Sequence, residues 1–263
     1  MTVAPSPARE RSPDAPAIRA TGIVKNYGHL EALRGADIEL HPGQVVALCG
    51  DNGAGKSTLT KVICGAVAAD AGSLEFWGEP VTVQSTHQAH DLGVYTVYQD
   101  LALAPHLSVA DNLFLGREVT ASDWRSRIGV LDRKRMRDDT RSAMARLGIT
   151  LRDYSLPVGN LSGGQRQALA VARAITWATT AVLMDEPTAA LGPKQSAIVY
   201  ETVRAAADRG LALLVISHDI PRMLQVADKI AVMRHGVVVA VRDAAGLRLT
   251  DVIGLMLGEE VRA

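Results

Sequence analysis

The fold is decided by nine residues, Gly50-Asp51-Asn52-Gly53-Ala54-Gly55-Lys56-Ser57-Thr58, of which the first eight match the pattern G-x-x-x-x-G-K-[ST]. An apolar run at residues 44–49 precedes them and predicts a buried strand, and a helix is expected to open over residues 59–66. The order strand, loop, helix is the context in which this pattern holds the phosphates of a nucleotide. The alternative is a glycine-rich turn that binds nothing, and the correct flanks argue against it.

The residue types in this loop explain how it would hold a phosphate. Its glycines, Gly50, Gly53 and Gly55, allow backbone angles that side chains forbid, so that N–H groups can turn inward. The N-terminus of the following helix adds partial positive charge at the same place. Lys56 is expected to reach the β- and γ-phosphates and Ser57 to bind Mg²⁺ through its hydroxyl. We therefore assign nucleotide binding to the loop residues Gly50, Asp51, Asn52, Gly53, Ala54, Gly55, Lys56, Ser57 and Thr58.

The bulk composition excludes several classes of protein. With 48% apolar and 21% charged residues among 263, the chain has the composition of an ordinary soluble globular protein. Its 28 basic residues balance 28 acidic ones, so no nucleic-acid partner is predicted. The two cysteines, Cys49 and Cys64, form no zinc or disulfide pattern. No apolar stretch is long enough to cross a membrane, no signal-peptide core is present, and proline-rich residues 1–16 predict a disordered tail.

Hydrophobic patterns predict an alternation of strands and helices. Strands are expected over residues 18–27, 36–40, 73–77, 94–98, 181–184, 211–216, 230–233 and 237–241. Helices are expected over residues 125–145, 163–175, 194–209 and 250–257. This alternation predicts an α/β fold with a largely parallel sheet and a ligand at the carboxyl ends of its strands.

A second glycine-containing element stands about a hundred residues after Lys56. It reads Leu161-Ser162-Gly163-Gly164-Gln165 and precedes an uninterrupted helix former, which places Ser162 at a helix N-cap. The N–H groups of Ser162, Gly163 and Gly164 are expected to be free and to form a second anion site. A flexible turn is the alternative reading of this element.

Two adjacent carboxylates follow the apolar run at residues 181–184. Asp185 suits a Mg²⁺ ion held indirectly beside phosphates. Glu186 is expected to point the other way and to polarise a water for attack on the γ-phosphorus. Taken alone, the pair also fits a surface Asp-Glu pair at the end of a strand.

Three further residues are weak indications when each is taken alone. Gln99 closes the strand predicted over residues 94–98 and is a candidate ligand for Mg²⁺ or water. His218 follows the strand predicted over residues 211–216, where a structural histidine is the usual case. Tyr27 ends the first strand and could stack on an adenine.

The order of these motifs resembles the ABC-type ATPases over about residues 17–258. The resemblance implies a P-loop NTPase core with an antiparallel β subdomain, an α-helical subdomain over about residues 101–178, and a tail at 259–263. It implies ATP and Mg²⁺ as ligands. The implied catalytic residues are Glu186, His218 and Gln99; the implied ATP contacts beyond the loop are Tyr27, Ser162, Gly163, Gly164 and Gln165; the implied metal contacts are Ser57, Gln99 and Asp185.

A narrower resemblance points to bacterial monosaccharide importers of the ribose, xylose and fructose type. It rests on Asp51-Asn52 and on residues 98–101, 110–118 and 131–133. One set of motifs implies two ATPase copies per transporter, bound to transmembrane permease subunits at the cytoplasmic face of the bacterial inner membrane. A periplasmic or lipid-anchored solute-binding protein would act through the permease. One departure is Gly192, where most family members have an aspartate that helps communication across the dimer.

Three alternatives stay open from the sequence. The first is an importer ATPase for another solute, such as amino acids. The second is an ABC ATPase of DNA repair or translation, although the insertion here carries no heptads and only one set of motifs is present. The third is a P-loop kinase or GTPase, which would lack the element at residues 161–165.

Overall fold

The structure is a computed structural model that describes residues 15–121 and 129–259. Most of the two predicted tails and the start of the helix predicted from residue 125 lie outside the described residues. Within those ranges the strands are β1 Ile18–Tyr27, β2 Leu30–Leu40, β3 Val45–Cys49, β4 Ala71–Phe76, β5 Glu79–Pro80, β6 Val94–Val97, β7 Ala181–Asp185, β8 Ala212–Ile216, β9 Lys229–Arg234 and β10 Val237–Asp243. The helices are α1 Lys56–Ile63, α2 Thr86–Asp91, α3 Val109–Phe114, α4 Arg133–Arg146, α5 Gly163–Trp177, α6 Pro193–Asp208, α7 Ile220–Val226 and α8 Leu249–Leu257.

The larger sheet has the strand order β10-β9-β3-β8-β7-β6. All pairs from β9 to β6 are parallel, and only β10 runs antiparallel to its neighbour. The prediction of a largely parallel sheet is therefore confirmed. Because the carboxyl ends of parallel strands meet at one edge, the segments that follow β3, β6, β7 and β8 converge there. These segments carry the loop at residues 50–58, Gln99, Glu186 and His218.

Both faces of this sheet are covered, which explains why its central strands read as continuous apolar runs. In β3, Val45, Ala47 and Cys49 face a core shared with helices α3 to α6. Val46 and Leu48 face the other core, which the sheet shares with α1 and the antiparallel strands. Strand β3 thus lies between two hydrophobic layers, and the loop at residues 50–58 starts at its buried carboxyl end.

The smaller sheet has the order β2-β1-β4-β5 and is antiparallel throughout. The expected antiparallel β subdomain and the α/β class are confirmed. Strand β2 begins at Leu30, six residues before the predicted start. The prediction missed the polar half of this strand, where Glu31 and Arg34 face solvent and Gly35 interrupts the pattern.

Some predicted helix limits are wrong. Helix α4 starts at Arg133, because the Asp132 side chain accepts from the Arg135 N–H and caps the helix there. Helix α1 starts at Lys56, within the loop motif and not after it. The short helices α2, α3 and α7 were not predicted. Within the described ranges, no helix combines the length and the hydropathy needed to cross a membrane.

Candidate nucleotide site

The loop at residues 50–58 requires glycine at two places for steric reasons. Gly50 has φ +150°, and a Cβ there would lie 2.2 Å from the Met233 carbonyl oxygen of β9. Gly55 has φ +105°, and a Cβ there would lie 2.6 Å from the Ala32 carbonyl oxygen of β2. Since both obstacles are backbone atoms, no side-chain movement relieves them. The loop is therefore pressed against both sheets, which only glycine permits.

Hydrogen bonds hold the loop in the same place. In the turn between β9 and β10, the Gly236 N–H donates to the Ala54 carbonyl over 2.9 Å. The Gly236 carbonyl accepts from the Arg34 N–H of β2, also over 2.9 Å. Within the loop, the Lys56 ammonium donates to the carbonyls of Gly50 at 2.7 Å and Asp51 at 2.8 Å. The loop is fixed by contacts from both sheets and from its own lysine.

The Lys56 ammonium lies in an unfavourable place for a lone cation. Lys56 is only 7% exposed. Burial lowers the pKa of Lys56, and the nearby carboxylates of Glu186 and Asp185 oppose that shift. A bound polyphosphate would supply further negative charge at this point, so the site favours an anionic ligand.

The loop forms one wall of a cleft of about 600 Å³. The cleft brings together most of the predicted residues: Tyr27, Asn52, Gly53, Gly55, Lys56, Ser57, Thr58, Gln99, Asp185, Glu186 and His218. Gly50, Asp51 and Ala54 belong to the same loop but do not line the cleft. Five lining residues were not predicted: Leu30, Glu31, Ala32, Ala189 and Ile216.

An exposed apolar rim stands at one side of this cleft. Tyr27 is 45% exposed and Leu30, its partner across the β1–β2 turn, is 66% exposed. The Lys25 ammonium lies 5.8 Å from the centre of the Tyr27 ring. A flat ring ligand could lie on this rim. The prediction missed Leu30 because it began the second strand at residue 36, so that Leu30 had no place opposite Tyr27.

The same cleft can accommodate a divalent cation. Ser57, Gln99 and Asp185 bring a hydroxyl, an amide and a carboxylate to it. Asp185 ends β7 and is 8% exposed. The described residues contain no group of three or more His, Cys, Asp or Glu that could hold a metal. A cation here would complete its shell with phosphate and water oxygens, which suits Mg²⁺. The residues therefore fit that ion.

Glu186 has an uncommon backbone conformation. Its φ is +53°, in the left-handed region, although it precedes Pro187. Its N–H donates to the Ile216 carbonyl over 3.0 Å. Its own carbonyl accepts from the Gln167 side-chain amide at 3.0 Å and from the Ala189 N–H at 3.3 Å. These three bonds fix the direction in which the side chain leaves the strand.

The Glu186 carboxylate retains an unused acceptor. Its Oε1 lies 3.2 Å from His218 Nε2, which is close enough for an ion pair when the imidazole is protonated. This buried oxygen has no hydrogen-bond partner among the described residues. Burial raises the pKa of Glu186, while His218 opposes that shift. A carboxylate with a free lone pair and a raised pKa is suited to accept a proton from water.

This pKa shift predicts the acidic limb of any activity that uses Glu186 as a base. Protonated Glu186 cannot accept a proton, so activity should fall as the pH falls through the raised pKa. Half-maximal kcat is expected above pH 4.5, the ordinary glutamate value. The measurement is nucleotide hydrolysis at saturating nucleotide over a pH series, with circular dichroism to check folding. A kcat that stays constant down to that pH in folded protein would contradict the prediction.

The second predicted anion site lies at the start of α5. The Ser162 hydroxyl accepts from the Gln165 N–H at 3.2 Å, which confirms Ser162 as the N-cap. The Gln165 side chain accepts from the Ser162 N–H at 2.9 Å. The prediction of a free Ser162 N–H is therefore wrong, because a capping box uses it. Gly163 and Gly164 are the first helical residues, whose N–H groups have no partner within the helix.

The start of α5 opens into a different cavity. Residues 162–165 line it together with Gly148, Ala190 and Gly192. Among the described residues, none lines both this cavity and the cleft at Lys56. Gly192 is the N-cap of α6, and Pro193 follows at the first helical position. The two candidate anion sites, at the loop of residues 50–58 and at the start of α5, are therefore separate within one molecule.

Comparison with known proteins agrees with this geometry. The family model described as "ABC transporter" matches residues 33–189. The fructose import ATP-binding protein FrcA of Rhizobium meliloti is 43% identical over 245 residues, which are 92% of this chain and 94% of that protein. The xylose/arabinose import ATP-binding protein XylG of Sulfolobus acidocaldarius is 44% identical over 217 residues, which are 82% of this chain and 84% of that protein. The ribose import ATP-binding protein RbsA 2 of Rubrobacter xylanophilus is 40% identical, but this chain spans only 46% of its length.

Solved structures give the same result for the fold. The ATP-binding cassette MJ1267 of an ABC transporter has a TM-score of 0.74 at 26% identity, covering 92% of this chain and 96% of the other. A nucleotide-free ATP-binding cassette from an ABC transporter has a TM-score of 0.73 at 25% identity, covering 87% of this chain and 91% of the other. From its motifs, its cleft and these similarities, the chain belongs to the ABC transporter family and is an ATP-binding cassette of that family.

Proposed function

We propose that this chain is the ATP-binding and ATP-hydrolysing subunit of a bacterial ABC importer for a monosaccharide. One observation supports the hydrolytic role above all: a single cleft joins the Lys56 ammonium, the Asp185 carboxylate and the partner-free oxygen of Glu186. The importer and the sugar class are supported by the relatives, whose names include fructose, xylose/arabinose and ribose import.

ATP would bind with its base on the rim of Tyr27 and Leu30 and its phosphates in the loop. The Lys56 ammonium would leave the carbonyls of Gly50 and Asp51 or share its three donors with the β- and γ-phosphates. Helix α1 begins at the same place, with residues 56–58 lining the cleft, and the dipole at its N-terminus favours negative charge there. Binding thus relies on groups that the structure already gathers around the loop.

Mg²⁺ would be held by Ser57, Gln99 and Asp185, and when bound it would neutralise charge on the phosphates. The residues of this chain carry the remaining steps. Glu186 orients a water and accepts its proton while the water oxygen bonds to the γ-phosphorus and the bond to the ADP oxygen breaks. His218, beside Glu186, would contact the γ-phosphate and stabilise its developing charge.

Complete enclosure of the nucleotide would need a second ATPase subunit. The start of α5 opens into a cavity that shares no lining residue with the chain's own cleft, within the ranges described. The N–H groups of Gly163 and Gly164, with Ser162 and Gln165, would cover the γ-phosphate in the partner copy. ATP then favours the closed dimer, and loss of the γ-phosphate contact favours the open one, because only differential binding can shift such an equilibrium.

The dimer would drive transmembrane permease subunits at the cytoplasmic face of the inner membrane, with a solute-binding protein outside. Gln99 and residues 101–115 would report the state of the nucleotide to the permease. No nucleic-acid partner is proposed, given the balanced charge of the chain.

The test is ATP hydrolysis by the reconstituted transporter. The chain would be purified with its permease, placed in liposomes and assayed with the binding protein and single solutes. We expect a pentose or hexose to stimulate hydrolysis, and a chelator of Mg²⁺ to abolish it. Stimulation by an amino acid alone would reject the sugar and favour the amino-acid alternative. Hydrolysis that needs nucleic acid, or a chain that associates with no permease, would reject the importer.

A further inference from the structure

Gln167 is a buried polar side chain that touches the candidate catalytic residue. It lies on the second turn of α5 and is 4% exposed. Its side-chain amide donates to the backbone carbonyl of Glu186 over 3.0 Å. A buried side-chain amide needs a hydrogen-bond partner. Here the partner is the main chain of the candidate catalytic residue, which suggests that the bond has a role at the site.

The reason lies in the conformation of Glu186. A non-glycine residue with positive φ is strained and persists only where its surroundings hold it in place. A following proline restricts Glu186 further. The Ile216 carbonyl accepts from the Glu186 N–H, and the Gln167 amide donates to the Glu186 carbonyl. The Ala189 N–H also reaches this carbonyl, at the longer distance of 3.3 Å.

We propose that Gln167 is a positioning residue for Glu186: its amide holds the strained backbone that aims the carboxylate into the cleft beside His218. This inference rests on the proposed function, because it concerns the same hydrolytic step. Gln167 lines neither the cleft at Lys56 nor the cavity at the start of α5. It acts through the Glu186 main chain alone.

The position of Gln167 on α5 adds a consequence. The same helix begins at Ser162, five residues earlier, where the γ-phosphate of a partner copy would bind. A shift of the α5 start would move the Gln167 amide, and with it the backbone of Glu186. Helix α5 thereby connects the catalytic carboxylate of one site to the phosphate contact of the other. This connection uses no side chain at Gly192, where the family resemblance leads us to expect an aspartate in most members.

The experiment compares Gln167→Met and Gln167→Glu with the wild-type chain. Met keeps the length but removes the donor, and Glu keeps the shape but donates only when protonated. For Gln167→Met we expect kcat to fall about 10- to 100-fold, the usual cost of misplacing a catalytic group. ATP affinity should stay within about twofold, because the binding loop is untouched. For Gln167→Glu, activity relative to wild type should rise as the pH falls.

The matched control is Gln88→Met on α2. The Gln88 side chain also bonds to the main chain, accepting from the Gln84 N–H at 2.8 Å, but it lines no part of the cleft. The kcat of the Gln88→Met variant should equal that of the wild type. Unchanged kcat in Gln167→Met would overturn the proposal. So would a loss of kcat with an equal loss of ATP affinity, which indicates general damage to the fold.

A crystal structure of Gln167→Met separates this inference from the proposed function. We expect Glu186 to leave the left-handed region or to adopt two conformations. A wild-type chain that hydrolyses no ATP would defeat the proposed function, yet the crystal would still decide the role of Gln167. Glu186 in its wild-type conformation in the variant would overturn that role.

Discussion

Replacing Glu186 with glutamine is expected to reduce ATP turnover by about 10²- to 10⁴-fold, the range for removal of a general base. The amide keeps the size of the side chain but cannot accept a proton from water. ATP binding should be retained, because Lys56 and the loop glycines are untouched. A dimer that closes on ATP and cannot hydrolyse it should accumulate. Size-exclusion chromatography with and without Mg·ATP would detect this dimer.

The same variant should also be more stable than the wild type. Burial raises the pKa of Glu186, so the folded chain disfavours its ionised form at neutral pH. A neutral glutamine escapes that cost, and the thermal unfolding midpoint should rise. Glu201→Gln, an exposed position on α6, is the matched control and should change neither property. Near-normal hydrolysis by Glu186→Gln would remove Glu186 from the mechanism.

Replacing Lys56 with alanine is expected to weaken ATP binding by about one to two orders of magnitude, as for loss of hydrogen bonds to a charged group. The change removes the ammonium that would contact the phosphates. It also leaves the carbonyls of Gly50 and Asp51 without the donor that now joins them. Isothermal titration with ATP measures the effect.

The control for this variant is Lys61→Ala, on the last turn of the same helix. Lys61 is exposed and does not line the cleft. Its removal lowers the positive charge by the same amount, so it corrects for long-range attraction of the nucleotide. Equal affinity in the two variants would mean that the loop assignment is wrong.

The parts of the fold that the sequence predicted well are those with strong local patterns. The runs before Gly50, Asp185 and Ser217 are apolar throughout, because the sheet is covered on both faces, and their limits were predicted within one residue. The prediction for α4 was wrong over residues 129–132, which it included in the helix and which are not helical. Only the Asp132 cap marks the boundary. Short helix α7 has too few residues for a periodic pattern.

For the site, the residue types were predictable but their interactions were not. Spacing indicated that Ser162 caps a helix, yet the Ser162 N–H proved to be used by Gln165. A capping box has a sequence signature, and Gln165 three residues after Ser162 was that signal. The left-handed conformation of Glu186 and its bond from Gln167 had no comparable signal. They join residues 19 positions apart, and only the packing of α5 against the strand end brings them together.

The loop at residues 50–58 is held on three sides: Met233 crowds Gly50, Gly236 binds Ala54, and Lys56 binds two loop carbonyls. Ordering a flexible backbone costs roughly 1–2 kcal/mol per residue. Here that entropy is lost when the chain folds and not when ATP arrives. Preorganisation of this kind lets more of the phosphate interaction appear as affinity.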